Sequence, residues 1–134
     1  QGGRVIGVIP GYLRTHELAY EASDELLVTP DLRARKAAME EMADAFVALP
    51  GGFGTLEEIL EVLTLRQVGR HHKPIAFLDT LNFYRPLVQL FEQLYEHRFA
   101  KPGARDHYHV AETPAGVLDY FARQWPTHAE GVRT

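Results

Sequence analysis

Three glycines, Gly51, Gly52 and Gly54, lie in the stretch Leu49-Pro-Gly-Gly-Phe-Gly-Thr-Leu-Glu-Glu58. They follow Ala45 to Leu49, which reads as a short, fully buried strand, and precede Leu56, Ile59, Leu60 and Leu63 at helical spacing. A glycine-rich turn from strand to helix presents backbone N–H groups and the positive end of a helix dipole, a setting that suits phosphate. Glu57 and Glu58 then enter the helix about 100° apart and cannot do the same job. Glu57 shares a polar side with Glu61 and Thr64. Glu58 shares a side with Val62 and Leu65, so it leans toward packed surface, where partial desolvation makes a carboxylate reactive. The same letters admit a purely structural reading, because Thr55-Leu-Glu-Glu58 has the spacing of a capping box. By spacing alone the cap is the stronger reading.

Upstream, positions 35, 38, 39, 42 and 46 share one helical side, and four of them are Ala38, Met39, Met42 and Phe46. The fifth is Arg35. A guanidinium keeps its charge and is costly to bury alone, so Arg35 calls for an anion, either a ligand or a carboxylate such as Glu58. Lys36 and Glu40 form an ordinary i,i+4 pair on another side. Two glycine motifs are excluded. A Walker A loop needs Gly-Lys-Ser/Thr where Gly54-Thr55-Leu56 stands, and a dinucleotide fingerprint needs glycine where Glu57 stands. His107 and His109 face one way on an expected strand but lack a third ligand at useful spacing, so a surface pair is expected rather than a metal site. His71-His72 lies in a loop and is expected in solvent.

The elements that must position these groups alternate between strand and helix. Arg4 to Ile9 reads as a strand ending at Pro10-Gly11, followed by a loop with Tyr12, Arg14, His16 and Glu17. Glu25 to Val28 is a second strand. Thr29-Pro30-Asp31 starts a helix reaching about Ala43. After the strand of residues 45 to 49 comes a helix over 55 to 68, stopped by Gly69. A strand over Ile75 to Leu78, a helix over roughly 83 to 97, a strand over Tyr108 to Ala111 and a helix capped by Thr113-Pro114 through Phe121 complete the order. This rhythm predicts an α/β fold: a Rossmann-like three-layer sandwich with a mainly parallel sheet. One domain is expected over residues 1–125, with 126–134 a flexible tail.

The 134 residues, 46% of them hydrophobic, suffice for one real core. A formal charge of −4 argues against general nucleic-acid binding. The absence of cysteine excludes disulfides and thiolate chemistry and is compatible with the cytoplasm. No apolar run has the length of a membrane span. The chain opens on Gln1-Gly2-Gly3 without Met, and this predicts that an N-terminal portion precedes it. Helix 55 to 68 is apolar almost all round, more than one sheet contact requires, and this predicts a homodimer.

Pro50-Gly51-Gly52-Phe53-Gly54-Thr55-Leu56-Glu57-Glu58 resembles the PGGxGTxxE signature of the Lonely Guy (LOG) family, long misnamed lysine decarboxylases. Arg35-Lys36, followed by Met39, resembles the second signature of that family. Val5-Ile-Gly-Val-Ile-Pro10, Glu17, Gln67-Val-Gly69 and Lys73-Pro74 fit as well, so the resemblance runs from about Gly3 to Phe121. Arg33 stands where many members have His. The first strand of the family, its early serine-containing loop and its GGGxxGLMG loop have no counterpart here, which implies missing N-terminal βα units.

The family consists of cytokinin riboside 5′-monophosphate phosphoribohydrolases, which release an N6-modified adenine from its nucleotide without metal or organic cofactor. The resemblance implies that Arg35 and Glu58 are catalytic. It also implies that Glu17, Arg35, Lys36, Gly52, Phe53, Gly54, Thr55, Leu56, Glu57, Glu58 and Thr64 line the nucleotide site. Breaking an N-glycosidic bond builds positive charge on the ribose, and a carboxylate such as Glu58 can stabilise it or orient water. With the resemblance counted, catalysis outweighs the cap for Glu58. The partners implied are a nucleoside 5′-monophosphate and a second copy of the chain, with no nucleic acid and no membrane. A non-catalytic nucleotide-binding module is the alternative. Decarboxylation is disfavoured, because neither Lys36 nor Lys73 has the pocket context of a Schiff-base lysine.

Overall fold

The computed structural model describes residues 2–14 and 22–125. The chain divides into two compact units, residues 1–43 and 44–134. The expected tail over 126–134 lies outside the described residues.

In the first unit, strand β1 (Ile6–Pro10) pairs in parallel with β2 (Glu25–Thr29), in register from Ile6 opposite Glu25 to Pro10 opposite Thr29. Val5 N–H donates to Asp24 Oδ2 at 2.6 Å, and Arg4 meets Glu25 at 2.6 Å, so the start of β1 is tied to the start of β2. The strand continues through Pro10, one residue past its expected end, and a single helical turn, α1 (Gly11–Arg14), occupies the start of the expected loop. Helix α2 (Leu32–Met42) packs on the strand pair. Asp31 is its N-cap, its carboxylate accepting from Ala34 N–H at 2.8 Å, which satisfies one of the donors a helix start leaves open.

In the second unit, three parallel strands lie in the order β3 (Phe46–Ala48), β4 (Ile75–Leu78), β5 (His109–Ala111). Successive side chains of a strand point to opposite faces, and β4 uses both. Ile75 and Phe77 join Ile59 and Val62 of α3 (Phe53–Gln67) and Phe91 and Tyr95 of α4 (Arg85–Glu96) in one buried cluster. Ala76 joins Val117, Tyr120 and Phe121 of α5 (Pro114–Gln124) in the other. The result is a three-layer unit with helices on both faces of a parallel sheet, the α/β architecture the alternation of elements predicts.

Local signals set several boundaries as expected. Thr113 Oγ1 caps α5 by accepting from Gly116 N–H at 3.1 Å, with Pro114 in the first turn. Gly69, at φ +80°, ends α3. Its N–H donates to Arg66 O at 3.0 Å and that of Arg70 to Leu65 O at 2.9 Å, the paired bonds of a Schellman motif.

Other expectations are corrected. The strand before the glycines is not fully buried: Ala48 is, but Val47 is 44% exposed, because β3 is the edge of its three-stranded sheet. His71 is not left to solvent. Its Nε2–H donates to Val62 O at 2.8 Å while Nδ1 accepts from Lys73 N–H at 3.1 Å, which fixes the neutral tautomer and ties α3 to the segment leading into β4. His107 and His109 are not a surface pair on one strand. His109 is on β5, stacked on Tyr120 at 4.5 Å, whereas His107 ends a 3₁₀ turn over Pro102–His107.

Candidate functional site

Helix α3 begins at Phe53, two residues before its expected start, with Gly52 as N-cap and no side chain capping it. Thr55 is therefore inside the first turn and is not the N-cap, so the capping box expected from Thr55 and Glu58 is not formed. A glycine N-cap leaves the N–H groups of the first turn to be satisfied from outside the helix. The helix dipole adds a partial positive charge at the same place.

The three glycines differ in what they do. A Cβ on Gly51 would fall on Thr55 Oγ1 and lie 3.0 Å from Thr55 Cβ, so residue 51 must be glycine for the chain to fold back over the first turn. A Cβ placed on Gly52 or Gly54 would meet no atom of the other described residues within 4 Å. Their bareness answers no packing demand among the described residues and opens the backbone to an approaching group. Phe53, between them, is 91% exposed. Gly52, Phe53, Gly54, Thr55, Leu56, Glu57 and Glu58 thus form one uncapped helical start, with Glu58 about 8 Å along the axis from Phe53.

Two features hold this turn in place within its unit. Leu49 carbonyl, at its start, accepts from the Tyr84 hydroxyl at 2.5 Å. At the far end of α3, Arg66 donates to Lys73 O at 2.8 Å, beside the His71 bonds. Tyr84 is not among the residues to which the sequence motifs point. The signal available for it is Asp79, an acidic residue at the end of β4 and five positions before Tyr84, whose carboxylate accepts from Tyr84 N–H at 2.7 Å.

The remaining site residues are placed as follows. Arg35 and Lys36 are half-buried on α2 of the first unit. Arg35 Nε–H donates to the Val8 carbonyl of β1 at 2.8 Å, which fixes the plane of the guanidinium against the strand. The inward side expected for Arg35 thus meets backbone oxygen. Thr64 is about 16 Å along α3 from Phe53, a distance that separates it from the glycine turn within one chain. Its hydroxyl donates to Leu60 O at 2.7 Å, and it lines a cavity of about 130 Å³ with Leu63, Phe91, Tyr95, His107 and Tyr108. Burial and the Arg66 charge hold the His107 pKa below its ordinary value, with Asp106 opposing them. Burial, with the hydrogen bond shared with the Tyr95 hydroxyl at 2.9 Å as a second cause, raises that of Tyr108. Glu17 lies outside the described residues. Among the described residues no three His, Asp or Glu side chains come together as a metal site, and no helix is long and apolar enough to cross a membrane.

Comparison with known proteins matches residues 1–121 to the family model described as "possible lysine decarboxylase". Among curated proteins, the chain is 41% identical over 132 residues to the rice (Oryza sativa subsp. japonica) probable cytokinin riboside 5′-monophosphate phosphoribohydrolase LOGL2, covering 98% of this chain and 54% of that protein. It is 44% identical over 128 residues to rice LOGL3, named in the same words, with 95% and 61% covered. It is 41% identical over 128 residues to the Arabidopsis thaliana cytokinin riboside 5′-monophosphate phosphoribohydrolase LOG3, with 95% and 60% covered. The chain therefore spans between about half and three-fifths of the length of these relatives.

Proposed function

The chain belongs to the possible lysine decarboxylase, or LOG, family, and from that premise we propose that its protein hydrolyses the N-glycosidic bond of N6-modified adenosine 5′-monophosphates. Water is consumed, and the products are the free cytokinin or adenine base and ribose 5-phosphate. The observation that carries the reading is the start of α3: a helix with no side-chain cap, bare backbone at Gly52 and Gly54, and a carboxylate one and a half turns inside. Such a start favours a phosphate at the glycine end. Glu58 then serves the ribose end, stabilising positive charge on C1′ as the base departs and orienting the incoming water. Arg35 is the second catalytic residue in this proposal. Its guanidinium, with Nε fixed by Val8 O, holds the anionic substrate in a charge-assisted contact. Lys36 and Glu17 complete the proposed substrate contacts, and Thr64, about 16 Å along α3 from the turn, is proposed to reach a substrate only from the second copy of the chain.

The test uses full-length protein with AMP and isopentenyl-AMP, read as release of free base. Base release that falls more than about a hundredfold in Glu58→Gln, at an unchanged melting temperature, is the expected result. No release by the parent protein from either nucleotide refutes the enzyme reading and leaves a nucleotide-binding module. Undiminished release by the variant removes Glu58 from the chemistry. A homodimer in the cytoplasm belongs to the same proposal. The exposed apolar side chains of α3, Phe53 and Leu60, together with Val68 just past its end, support the dimer, and a monomer by light scattering would refute it.

A further inference from the structure

We propose that Tyr84 is a positioning residue for the glycine turn: its hydroxyl, donated to the Leu49 carbonyl, sets where the segment from Pro50 to Gly54 begins. This rests on the reading of that turn as the phosphate end of a nucleotide site.

Leu49 lies one residue beyond β3 with its side chain exposed, so packing does not hold it. Its carbonyl is held instead, at 2.5 Å, by a residue 35 positions away in sequence. Tyr84 is suited to this because it cannot move independently of the core. It is 1% exposed, and its ring meets Phe77 edge-on at a centroid distance of 5.1 Å and Phe83 at 5.0 Å. Its N–H donates to Asp79 Oδ1 at 2.7 Å. Asp79 is buried in turn, and its own N–H donates to Ala111 O of β5 at 2.7 Å. A continuous line of bonds thus runs from the sheet through Asp79 and Tyr84 to the first residue of the turn.

The segment between Asp79 and Tyr84 is held under strain. Leu81 and Asn82 take φ of +53° and +60°, a left-handed conformation that asparagine tolerates and that is unfavourable for leucine. Leu81 is 95% exposed, so packing does not repay that strain. The bonds of Asp79 and Tyr84 are what the strained turn delivers. The carbonyl of Leu49 can only accept, so the Tyr84 hydroxyl is the donor, and burial raises its pKa further above the ordinary value. The anchor is present whether or not substrate has reached its transition state. Its loss therefore weakens binding of the phosphate more than it slows the chemical step.

Tyr84→Phe keeps the ring and deletes the bond. In full-length protein, KM for isopentenyl-AMP or AMP is expected to rise about five- to tenfold, with kcat within about twofold of the parent. Amide hydrogen exchange at residues 56–58, the first bonded amides of α3, with Leu56 N–H donating to Gly52 O at 3.2 Å, is expected to quicken by a similar factor while the amides of α4 and α5 exchange as before. Unchanged exchange at 56–58 overturns the proposal. So does exchange that quickens uniformly over residues 44–125 with a fall in melting temperature, which marks a role in stability alone. If the parent protein releases base from neither nucleotide, the proposed function fails. The exchange comparison needs no turnover and decides the role of Tyr84 separately.

Discussion

Replacing Gly51 and Gly54 by alanine, one at a time, separates packing from ligand binding in the same turn. At residue 51 the new methyl meets Thr55 Oγ1, and Thr55 Cβ at 3.0 Å. Rotating the threonine moves its hydroxyl aside but leaves Cβ in place, so the first turn of α3 must shift. Overpacking of this kind costs about 1–3 kcal/mol. At residue 54 the methyl meets no other described residue within 4 Å and sits in a helix, where alanine is favoured over glycine by roughly 0.5–1 kcal/mol. Thermal unfolding should therefore move in opposite directions, down by several degrees for Gly51→Ala and up by a few for Gly54→Ala. Function should not follow stability. A phosphate over the bare backbone competes with the methyl at 54, so KM for AMP should rise about tenfold or more in the stabilised variant. Thr55→Ala added to Gly51→Ala removes Oγ1 but not Cβ, and should restore part of the lost stability, a coupling visible as non-additivity. A Gly54→Ala protein with the parent KM refutes the phosphate assignment. A Gly51→Ala protein as stable as its parent refutes the packing argument.

Leu81→Gly should stabilise the protein by about 1 kcal/mol, read from the urea midpoint, because glycine accepts the left-handed backbone and the exposed leucine side chain gives up little. A lower midpoint would show that Leu81 packs in solution. His107 and His109 are both held below the ordinary histidine pKa of 6.5, chiefly by burial, with Arg66 beside the first and Arg123 beside the second adding to the effect. The unfolded chain then binds these protons more readily than the folded one, so their contribution is fully present above about pH 6.5 and is lost as pH falls from there through the folded-state values. Urea midpoints should drop between pH 7.5 and pH 5, and replacing both histidines by glutamine should flatten the slope. An unchanged slope in the double variant would assign the pH dependence to other groups.

The parts of the fold legible in the sequence are those settled within one or two turns of chain. Asp31 and Thr113 are readable as caps because each bonds to an N–H three residues on. Gly69 is readable as a stop because a left-handed residue there closes two bonds at fixed spacing. The order of strands and helices follows from apolar periodicity, and the layers follow from the order. The glycine turn and Glu58 stand out in the sequence as one strand-to-helix unit, yet the capping-box spacing puts the start of α3 at Thr55. A capping box and a glycine N-cap two residues earlier fit the same letters, and only the backbone distinguishes them.

What the tertiary structure decided is the set of bonds between residues far apart in sequence. The Tyr84 hydroxyl reaches Leu49, Arg35 reaches the Val8 carbonyl, and His71 leaves an expected place in solvent for Val62 O. None has a periodic signature. Each depends on which segments pack together, and a polar group brought into that packing must find whatever donor or acceptor lies within about 3 Å. The sequence by itself determined the chemistry on offer at the glycine turn, because residue types and local spacing are properties of the chain alone. Where that turn is held, and which glycines answer to packing rather than to open space, was decided only when distant elements closed around it.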